Sequence, residues 1–240
     1  INDFGAENLF CSPALLRRLS AAVKVKPRSL TLKRIISAGA PVPVEEMETL
    51  RASCHQDAEI FTPYGATESL PVSSISCQEV IERGRLGHRR GLGVCVGRPT
   101  PGVAVHIIRV NDEMISTWKD AEPLEVALTL GEVITPKNAF QLVGEVVVYG
   151  PSTTQGYLAH PQGDRLSKII GAPPGVDEIS GQHMSHRMGD LGYLDQDGFL
   201  WLCGRKSHRV DIVKEEVMER WLPHCVEGPL NQLEGIQRTA

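Results

Sequence analysis

The 240 residues carry a formal net charge of −4, and 41% of them are hydrophobic. This balance gives no electrostatic reason to expect a nucleic-acid partner, while the apolar content is sufficient for a substantial core. No apolar run approaches the roughly 20 residues that a membrane-spanning helix needs, so we expect no transmembrane segment. The six cysteines show no Cys-x-x-Cys or zinc-finger spacing, which favours free thiols in a reducing cytoplasm.

Residues 1–93 show the alternation of helix and strand that is typical of an α/β protein. Apolar residues at helical spacing, or in short continuous runs, indicate the elements. The predicted elements are helices over 8–24 and 42–54 and strands over 32–38 and 58–61. Ser12-Pro13 is expected to start the first helix, since serine caps helices and proline fits the first turn. The glycine-rich basic segment 84–97 favours a mobile loop, with phosphate binding as the alternative.

From residue 94 the pattern changes to short strands separated by turns. This predicts a small distorted β-barrel or an antiparallel sheet over 94–210. The predicted strands are 103–110, 143–149, 192–194 and 199–203. Residues 211–240 form an atypical tail, in which apolar residues over 212–222 predict an amphipathic helix that ends at Pro223.

The run Tyr64-Gly65-Ala66-Thr67-Glu68 follows the strand over 58–61, which we expect to break at Pro63 and Gly65. Its groups suit a nucleotide. The Tyr64 ring can cover a base, the Thr67 hydroxyl and backbone N–H groups can meet phosphate oxygens, and Glu68 can hold Mg²⁺. A polar turn after a buried strand is the alternative that these residues alone leave open.

A second set of polar residues surrounds Asp197-Gly198, which is a strong hairpin signal between two apolar stretches. The hairpin places Asp190 on one side and Arg205 on the other. A carboxylate can accept two hydrogen bonds from a ribose diol, and a guanidinium can reach ribose or phosphate oxygens. An aspartate that caps a turn and pairs with the arginine is the alternative.

Together and in this order, the motifs resemble those of the adenylate-forming superfamily, which contains acyl-CoA synthetases, luciferases and peptide-synthetase adenylation domains. Four ordered motifs lie between residues 37 and 205. They are Gly39-Ala40-Pro41, Tyr64-Gly65-Ala66-Thr67-Glu68, Gly144-Glu145 through Gly156-Tyr157, and Gly189-Asp190 through Gly204-Arg205. The spelling around Tyr64 and His186 is most similar to the β-lactone synthetases of bacterial long-chain olefin biosynthesis.

The resemblance implies part of the large N-terminal domain of an adenylate-forming enzyme, an α/β layer followed by a small β-barrel subdomain. It also implies ATP and Mg²⁺ as cofactors. Glu68 would hold Mg²⁺, and Thr67 would contact the α-phosphate. The implied nucleotide-binding residues are Gly39, Ala40, Pro41, Tyr64, Gly65, Thr67, Asp190 and Arg205. Adenine would lie between Tyr64 and the turn at Gly39, and Asp190 would accept hydrogen bonds from the ribose.

The reaction implied is the activation of a fatty-acid carboxylate as an acyl-adenylate. For the most similar subgroup, a long-chain β-hydroxy acid would close to a β-lactone, with release of AMP and pyrophosphate. A fatty-acyl-CoA synthetase that uses CoA and an inactive nucleotide-binding fragment are the alternatives. The phosphate loop and the lysine-bearing lid of the superfamily have no match here, so we expect a fragment that is inactive alone.

Overall fold

The computed structural model describes residues 1–124, 143–214, 217–236 and 239 of the chain. The strands are β1 Asn8–Cys11, β2 Arg34–Ser37, β3 Glu59–Ala66, β4 Ser69–Ser76, β5 Val94–Pro99, β6 Ala104–Ile108, β7 Gly144–Tyr149, β8 Lys168–Ile170, β9 Met184–Leu194, β10 Leu200–Arg205, β11 Val210–Lys214 and β12 Val217–Trp221. The α-helices are α1 Pro13–Val25, α2 Val44–Ser53, α3 Cys77–Glu79, α4 Arg85–Arg89, α5 Pro161–Ser167 and α6 Pro223–Leu230. A π-helical turn, Val80–Gly84, joins α3 to α4, and 3-10 turns cover Asn2–Phe4 and Lys206–His208.

The described strands form a ten-stranded sheet with the order β1-β2-β3-β4-β5-β10-β9-β7-β6, in which β8 pairs with β9. β1, β2 and β3 run parallel, whereas the pairings from β3 to β6 are antiparallel. The parallel strands need crossover connections, and α1 and α2 supply them. The α/β class is therefore confirmed.

The predicted β-barrel subdomain is not confirmed, because the antiparallel strands continue the same sheet through the pairing of β4 with β5. One apolar cluster also combines the two parts. Its buried members include Leu16 and Met47 from the helices, Ile35 from β2, and Tyr193 and Trp201 from β9 and β10. The divisions 1–93, 94–210 and 211–240 stay predictions.

The first predicted helix is shorter than expected, because residues 8–11 form β1 at the edge of the sheet. The Ser12 side chain accepts a hydrogen bond from the Leu15 N–H, and Pro13 occupies the first turn, so the predicted start at Ser12-Pro13 is confirmed. The predicted strand over 32–38 and helix over 42–54 are confirmed with slightly narrower bounds.

The expected break of the strand at Pro63 and Gly65 is wrong. β3 continues to Ala66 and pairs with β4, so that only Thr67 and Glu68 form the turn. A bulge lies between Tyr64 and Ala66. Gly65 fits it because a Cβ there would approach the Ser69 carbonyl oxygen to 2.6 Å.

The expected mobile loop over 84–97 is also wrong, since helical residues 77–89 lead directly into β5. Ser76 and Glu79 form a capping box that starts this segment. Arg85 forms an ion pair with Glu48 on α2. Arg85 and Arg89 therefore lie on a helix, and Arg90 lies in the turn between α4 and β5.

The tail does not form the predicted amphipathic helix over 212–222. β11 and β12 instead pair as an antiparallel hairpin, with Val210 directly opposite Trp221 and Asp211 opposite Arg220. Arg220 Nε lies 2.6 Å from Asp211 Oδ1, so a cross-strand ion pair reinforces the hairpin. Pro223 begins α6, as its preference for the first helical turn permits, and does not end a helix. Among the described residues, no helix combines the length and the apolarity that crossing a membrane requires.

Candidate functional site

The Asp190 corner consists of Tyr64, Asp190 and Arg205. Asp190 lies directly opposite Arg205 in the pairing of β9 with β10. Arg205 Nη1 lies 3.3 Å from Asp190 Oδ1, and the Tyr64 hydroxyl donates a 2.6 Å hydrogen bond to Oδ2. Asp190 and Arg205 lie on the two strands of the hairpin, as the sequence predicted, and their ion pair is the contact that the structural alternative named. The structure adds Tyr64 to them.

The contact between Tyr64 and Asp190 requires a curved sheet. β4, β5 and β10 lie between β3 and β9 in the sheet order. Since neighbouring strands are about 4.8 Å apart, a flat sheet would separate β3 from β9 by about 19 Å. The curvature therefore brings the motif of Tyr64 into contact with the motif of Asp190, although the two residues are 126 positions apart in the sequence.

Burial shapes the electrostatics of this corner. It raises the pKa of Asp190, while the Tyr64 hydrogen bond and the Arg205 charge act in the opposite direction. Burial and the nearby Asp190 charge raise the pKa of Tyr64 well above 10, so Tyr64 stays a neutral donor. The side chain of Arg205 is 57% exposed, which leaves its guanidinium accessible to a ligand.

An open pocket of about 350 Å³ lies beside the corner. Its lining residues are Gly189, Arg205, Lys206, Ser207 and His208. Arg205 is the more exposed of its two cations, since the Lys206 ammonium bonds to Glu145 and its side chain is only 18% exposed. Arg205 is therefore the cationic group that this pocket offers to a ligand.

A buried ion cluster supports the strand that carries Arg205. Glu145 Oε1 lies 2.9 Å from Lys206 Nζ, and Glu145 Oε2 lies 2.7 Å from Arg187 Nη2. Arg187 also donates to the carbonyl oxygens of Glu113 and Leu166, at 2.8 and 3.0 Å. Such a cluster holds its members in fixed positions, because losing one partner leaves a buried charge uncompensated.

The Glu68 corner consists of Glu68, Thr154, Tyr157 and Lys168. The Tyr157 hydroxyl donates a 2.6 Å hydrogen bond to Glu68 Oε1, and the Thr154 N–H donates a 2.8 Å bond to the Glu68 carbonyl oxygen. The Tyr157 hydrogen bond is the main cause that lowers the pKa of Glu68. The carboxylate is therefore held in its charged form, as a metal ligand must be.

Lys168 is an unusual member of this corner, because it is buried and charged. Its ammonium donates to the carbonyl oxygen and to the hydroxyl of Thr154, at 2.6 and 2.8 Å. Burial lowers the pKa of Lys168 to about 8. His186 lies opposite Lys168 in the pairing of β8 with β9, and burial together with the Lys168 charge lowers the pKa of His186 to about 4. His186 is therefore neutral at neutral pH.

Sequence reasoning did not include Tyr157, Thr154 and Lys168 among the site residues. Tyr157 belongs to the third sequence motif, for which no role was predicted. For Lys168, the signal in the sequence is a lysine that opens the short apolar run Lys168-Ile169-Ile170. Lysine is almost never fully buried without a reason, but the run alone does not reveal which groups surround it.

The remaining residues that the sequence predicted for the site belong to neither the Asp190 corner nor the Glu68 corner. The turn Gly39-Ala40-Pro41 is exposed and follows β2, and no hydrogen bond among the described residues joins it to Tyr64 or Asp190. Gly39 has φ +102°, which favours glycine at this position. Gly65 serves the bulge in β3, and Thr67 presents an exposed side chain at the hairpin turn.

Comparison with known proteins identifies the family and relatives. A model described as "AMP-binding enzyme" matches residues 1–158. The olefin beta-lactone synthetase of Stenotrophomonas maltophilia is 38% identical over 240 residues, which are 100% of this chain and 39% of that protein. The olefin beta-lactone synthetase of Xanthomonas campestris is 38% identical over 208 residues, or 87% of this chain and 34% of that protein. The chain thus spans well under half the length of these relatives.

Solved structures of adenylate-forming enzymes share the fold. O-succinylbenzoate coenzyme A synthetase from Bacillus subtilis, in complex with AMP, matches 99% of this chain and 38% of its own with a TM-score of 0.65 and 21% identity. The amide bond synthetase McbA from Marinactinospora thermotolerans matches 98% of this chain and 38% of its own with a TM-score of 0.65 and 24% identity. The resemblance predicted from the sequence motifs is confirmed, and the chain belongs to the AMP-binding enzyme family of adenylate-forming ligases and synthetases.

Proposed function

We propose that the protein to which this chain contributes activates a fatty-acid carboxylate as an acyl-adenylate, with ATP and Mg²⁺. The observation that carries the proposal is the meeting of Tyr64 and Arg205 on the two oxygens of Asp190. Two side chains converge on one buried carboxylate, and one of them, Tyr64, lies 126 residues away from it in the sequence. A buried carboxylate whose pKa is shifted by such partners is a candidate functional group.

On the nucleotide side, Asp190 would accept hydrogen bonds from the ribose hydroxyls, because each carboxylate oxygen can accept more than one bond. Arg205 is exposed enough to turn towards a ribose or phosphate oxygen. Tyr64 would lie along the adenine, with Gly39-Ala40-Pro41 on the other side. Gly65 would contribute by keeping the backbone close to Ser69, so that the turn presents Thr67 outward.

On the metal side, Glu68 is the proposed ligand of Mg²⁺. Among the described residues, no group of three or more His, Cys, Asp or Glu could hold a metal ion. This agrees with Mg²⁺, which commonly binds through one or two carboxylates together with substrate phosphates. The bound ion would neutralise phosphate charge. Thr67 presents an exposed hydroxyl at the same turn, from which it could reach the α-phosphate.

The substrate that we propose is a long-chain β-hydroxy acid, and the product is a β-lactone. The support is the 38% identity to two olefin beta-lactone synthetases. Attack of the β-hydroxyl on the activated carboxyl would be intramolecular, which removes most of the entropic cost of bringing two reactants together. The rival product is an acyl-CoA thioester, which several superfamily members form.

A chimera tests the proposal. The aligned segment of the Stenotrophomonas maltophilia synthetase is replaced by this chain, and the chimera receives ATP, Mg²⁺ and a β-hydroxy fatty acid without CoA. We expect release of AMP and a β-lactone, recognised by the proton NMR spectrum of its strained ring. The unmodified synthetase and the chimera with Glu68→Gln are the positive and negative controls.

Each other outcome favours a different function. A chimera that releases AMP only when CoA is present, and accumulates a thioester, is an acyl-CoA synthetase. A chimera that binds AMP but activates no acid supports the inactive nucleotide-binding alternative. A folded chimera that neither binds AMP nor activates an acid contradicts the proposed function.

A further inference from the structure

We propose that Tyr157 is a positioning residue, held by the loop 152–157, that fixes the Glu68 carboxylate in the position from which it binds a metal ion. The inference rests on the proposed function of Glu68 as the metal ligand. It assigns a role to Tyr157, which belongs to the third sequence motif.

The loop 152–157 clamps the Thr67-Glu68 turn at several points. Ser69 Oγ lies 3.2 Å from Thr153 Oγ1 and 3.4 Å from Ser152 Oγ. The Thr154 N–H bonds to the Glu68 backbone, and Tyr157 bonds to the Glu68 side chain. Backbone and side chain of Glu68 are thus both held by the same loop, so the loop sets where the carboxylate lies.

Lys168 holds the loop from the other side. Its two hydrogen bonds to Thr154 fix the residue that contacts the Glu68 backbone. Its ammonium also lies 5.7 Å from the centre of the Tyr157 ring. The amine is buried, so these contacts replace the water that it gives up. Lys168 thus fixes both Thr154 and Tyr157, the two residues that bond to Glu68.

The Tyr157 hydrogen bond has a chemical consequence for the carboxylate. It gives Glu68 Oε1 a fixed donor, and the Glu68 backbone N–H also bonds to the carboxylate. A carboxylate held by two donors presents its remaining lone pairs in a fixed direction. Such a ligand suits Mg²⁺, which is commonly bound through one or two carboxylates together with water and phosphate oxygens.

The test measures binding of Mn²⁺, used as a paramagnetic probe for Mg²⁺, to this chain in the presence of AMP and without turnover; AMP without protein serves as the blank. The variants are Glu68→Gln, Tyr157→Phe and Lys168→Met. Tyr193→Phe is the matched control, since Tyr193 donates a single 2.9 Å hydrogen bond to the Leu92 carbonyl oxygen and has no contact with Glu68. Thermal unfolding of every variant checks that the fold is kept, and electron paramagnetic resonance reports the free Mn²⁺.

We expect Glu68→Gln to abolish specific Mn²⁺ binding and Tyr157→Phe to weaken it about tenfold, the lower end of what losing a hydrogen-bond partner of a metal ligand costs. Lys168→Met should weaken it less, and Tyr193→Phe should leave it unchanged. If Glu68→Gln binds Mn²⁺ as the wild type does, Glu68 is not the metal ligand, and the metal assignment in the proposed function is wrong. If only Glu68→Gln loses binding, or Tyr157→Phe binds more tightly, the assignment stands and the positioning role of Tyr157 is overturned. Equal weakening in both tyrosine variants also overturns it.

Discussion

The Asp190 corner and the Glu68 corner hold a carboxylate in different ways. At the Asp190 corner, the partners are residues of β-strands, and the pairing of β9 with β10 sets Asp190 against Arg205. At the Glu68 corner, the partners come from a turn and a loop. Strand pairing leaves a clear signal in the sequence, whereas a loop that folds back onto a turn leaves almost none.

The charges behind the two corners differ as well. Behind Arg205, the buried Glu145 has two cationic partners within 2.9 Å. Behind Glu68, the buried Lys168 donates only to the uncharged oxygens of Thr154. In the first arrangement, one carboxylate is in direct contact with two cations. In the second, the carboxylates that act on Lys168 are the more distant Glu68 and Asp164. We therefore expect the corners to respond differently to substitution and to pH.

The largest effect should come from Glu145→Gln, which leaves Arg187 and Lys206 buried without a negative partner. Removing one partner of a buried ion pair typically costs about 3–5 kcal/mol of unfolding free energy. Urea unfolding of the variant measures it. The control is Glu122→Gln, because Glu122 pairs with Arg109 on the surface, where such a pair contributes about 1 kcal/mol or less. Equal losses of unfolding free energy in the two variants would show that the buried cluster stabilises the fold no more than a surface ion pair does.

The Glu68 corner should lose stability in acid through His186. Its pKa is about 4 in the folded protein against 6.5 for an unperturbed histidine, so between these values the unfolded chain binds a proton that the folded chain does not. Stability contributed by neutral His186 is then lost as the pH falls from 6.5 towards 4. The loss amounts to about 3 kcal/mol, at 1.36 kcal/mol for each pKa unit.

His186→Phe removes this titration, so its unfolding free energy should vary less with pH over the same range. Urea unfolding of both proteins at pH 7, 5.5 and 4 measures the difference between them. Identical pH dependence of wild type and variant would mean that His186 titrates normally in the folded protein.

At the Asp190 corner, Asp190→Ala should weaken AMP binding at least tenfold. The substitution removes hydrogen bonds from a charged acceptor, which contribute about 1.5–3 kcal/mol each. We expect the wild-type chain to bind AMP near 1 mM, or about 4 kcal/mol, so ligand-observed NMR is the suitable measurement. Unchanged affinity in the variant would remove Asp190 from the nucleotide site.

Arg205→Ala should have the smallest effect on stability. The side chain of Arg205 is 57% exposed, and exposed ion pairs contribute about 0–1 kcal/mol. Thermal unfolding of the variant should therefore differ little from that of the wild type. A loss comparable to that of Glu145→Gln would mean that Arg205 holds the hairpin together, and that its pairing with Asp190 is structural.

The sequence predicted that Asp190 and Arg205 lie on the two sides of a hairpin, because the features that mark the hairpin are local. Asp197-Gly198 marks the hairpin, and Asp195 Oδ1 accepts the N–H groups of Asp197 and Phe199 within it, at 2.9 Å each. The position of Asp190 opposite Arg205 then follows from the pairing. Tyr64 was identified by its motif, but its bond to Asp190 depends on how the sheet curves, which no local pattern specifies.

The errors have physical reasons. Tyr157 and Glu68 are 89 residues apart, and only the folded loop brings them together. In the tail, the apolar spacing over 212–222 fits a helix, yet Val210, Ile212 and Val213 are β-branched and favour a strand. The cross-strand pair of Asp211 with Arg220 then stabilises a hairpin. Apolar periodicity alone does not distinguish these outcomes.

The central claim is that the Asp190 corner and the Glu68 corner belong to one nucleotide and metal site. The most direct measurement is a titration of the ¹⁵N-labelled chain with AMP, followed by Mn²⁺, monitored by NMR. We predict that AMP shifts the signals of Tyr64, Gly189, Asp190 and Arg205, and that Mn²⁺ then broadens those of Thr67, Glu68 and Tyr157. Shifts confined to other parts of the chain, or broadening that spares the Thr67-Glu68 turn, would contradict it.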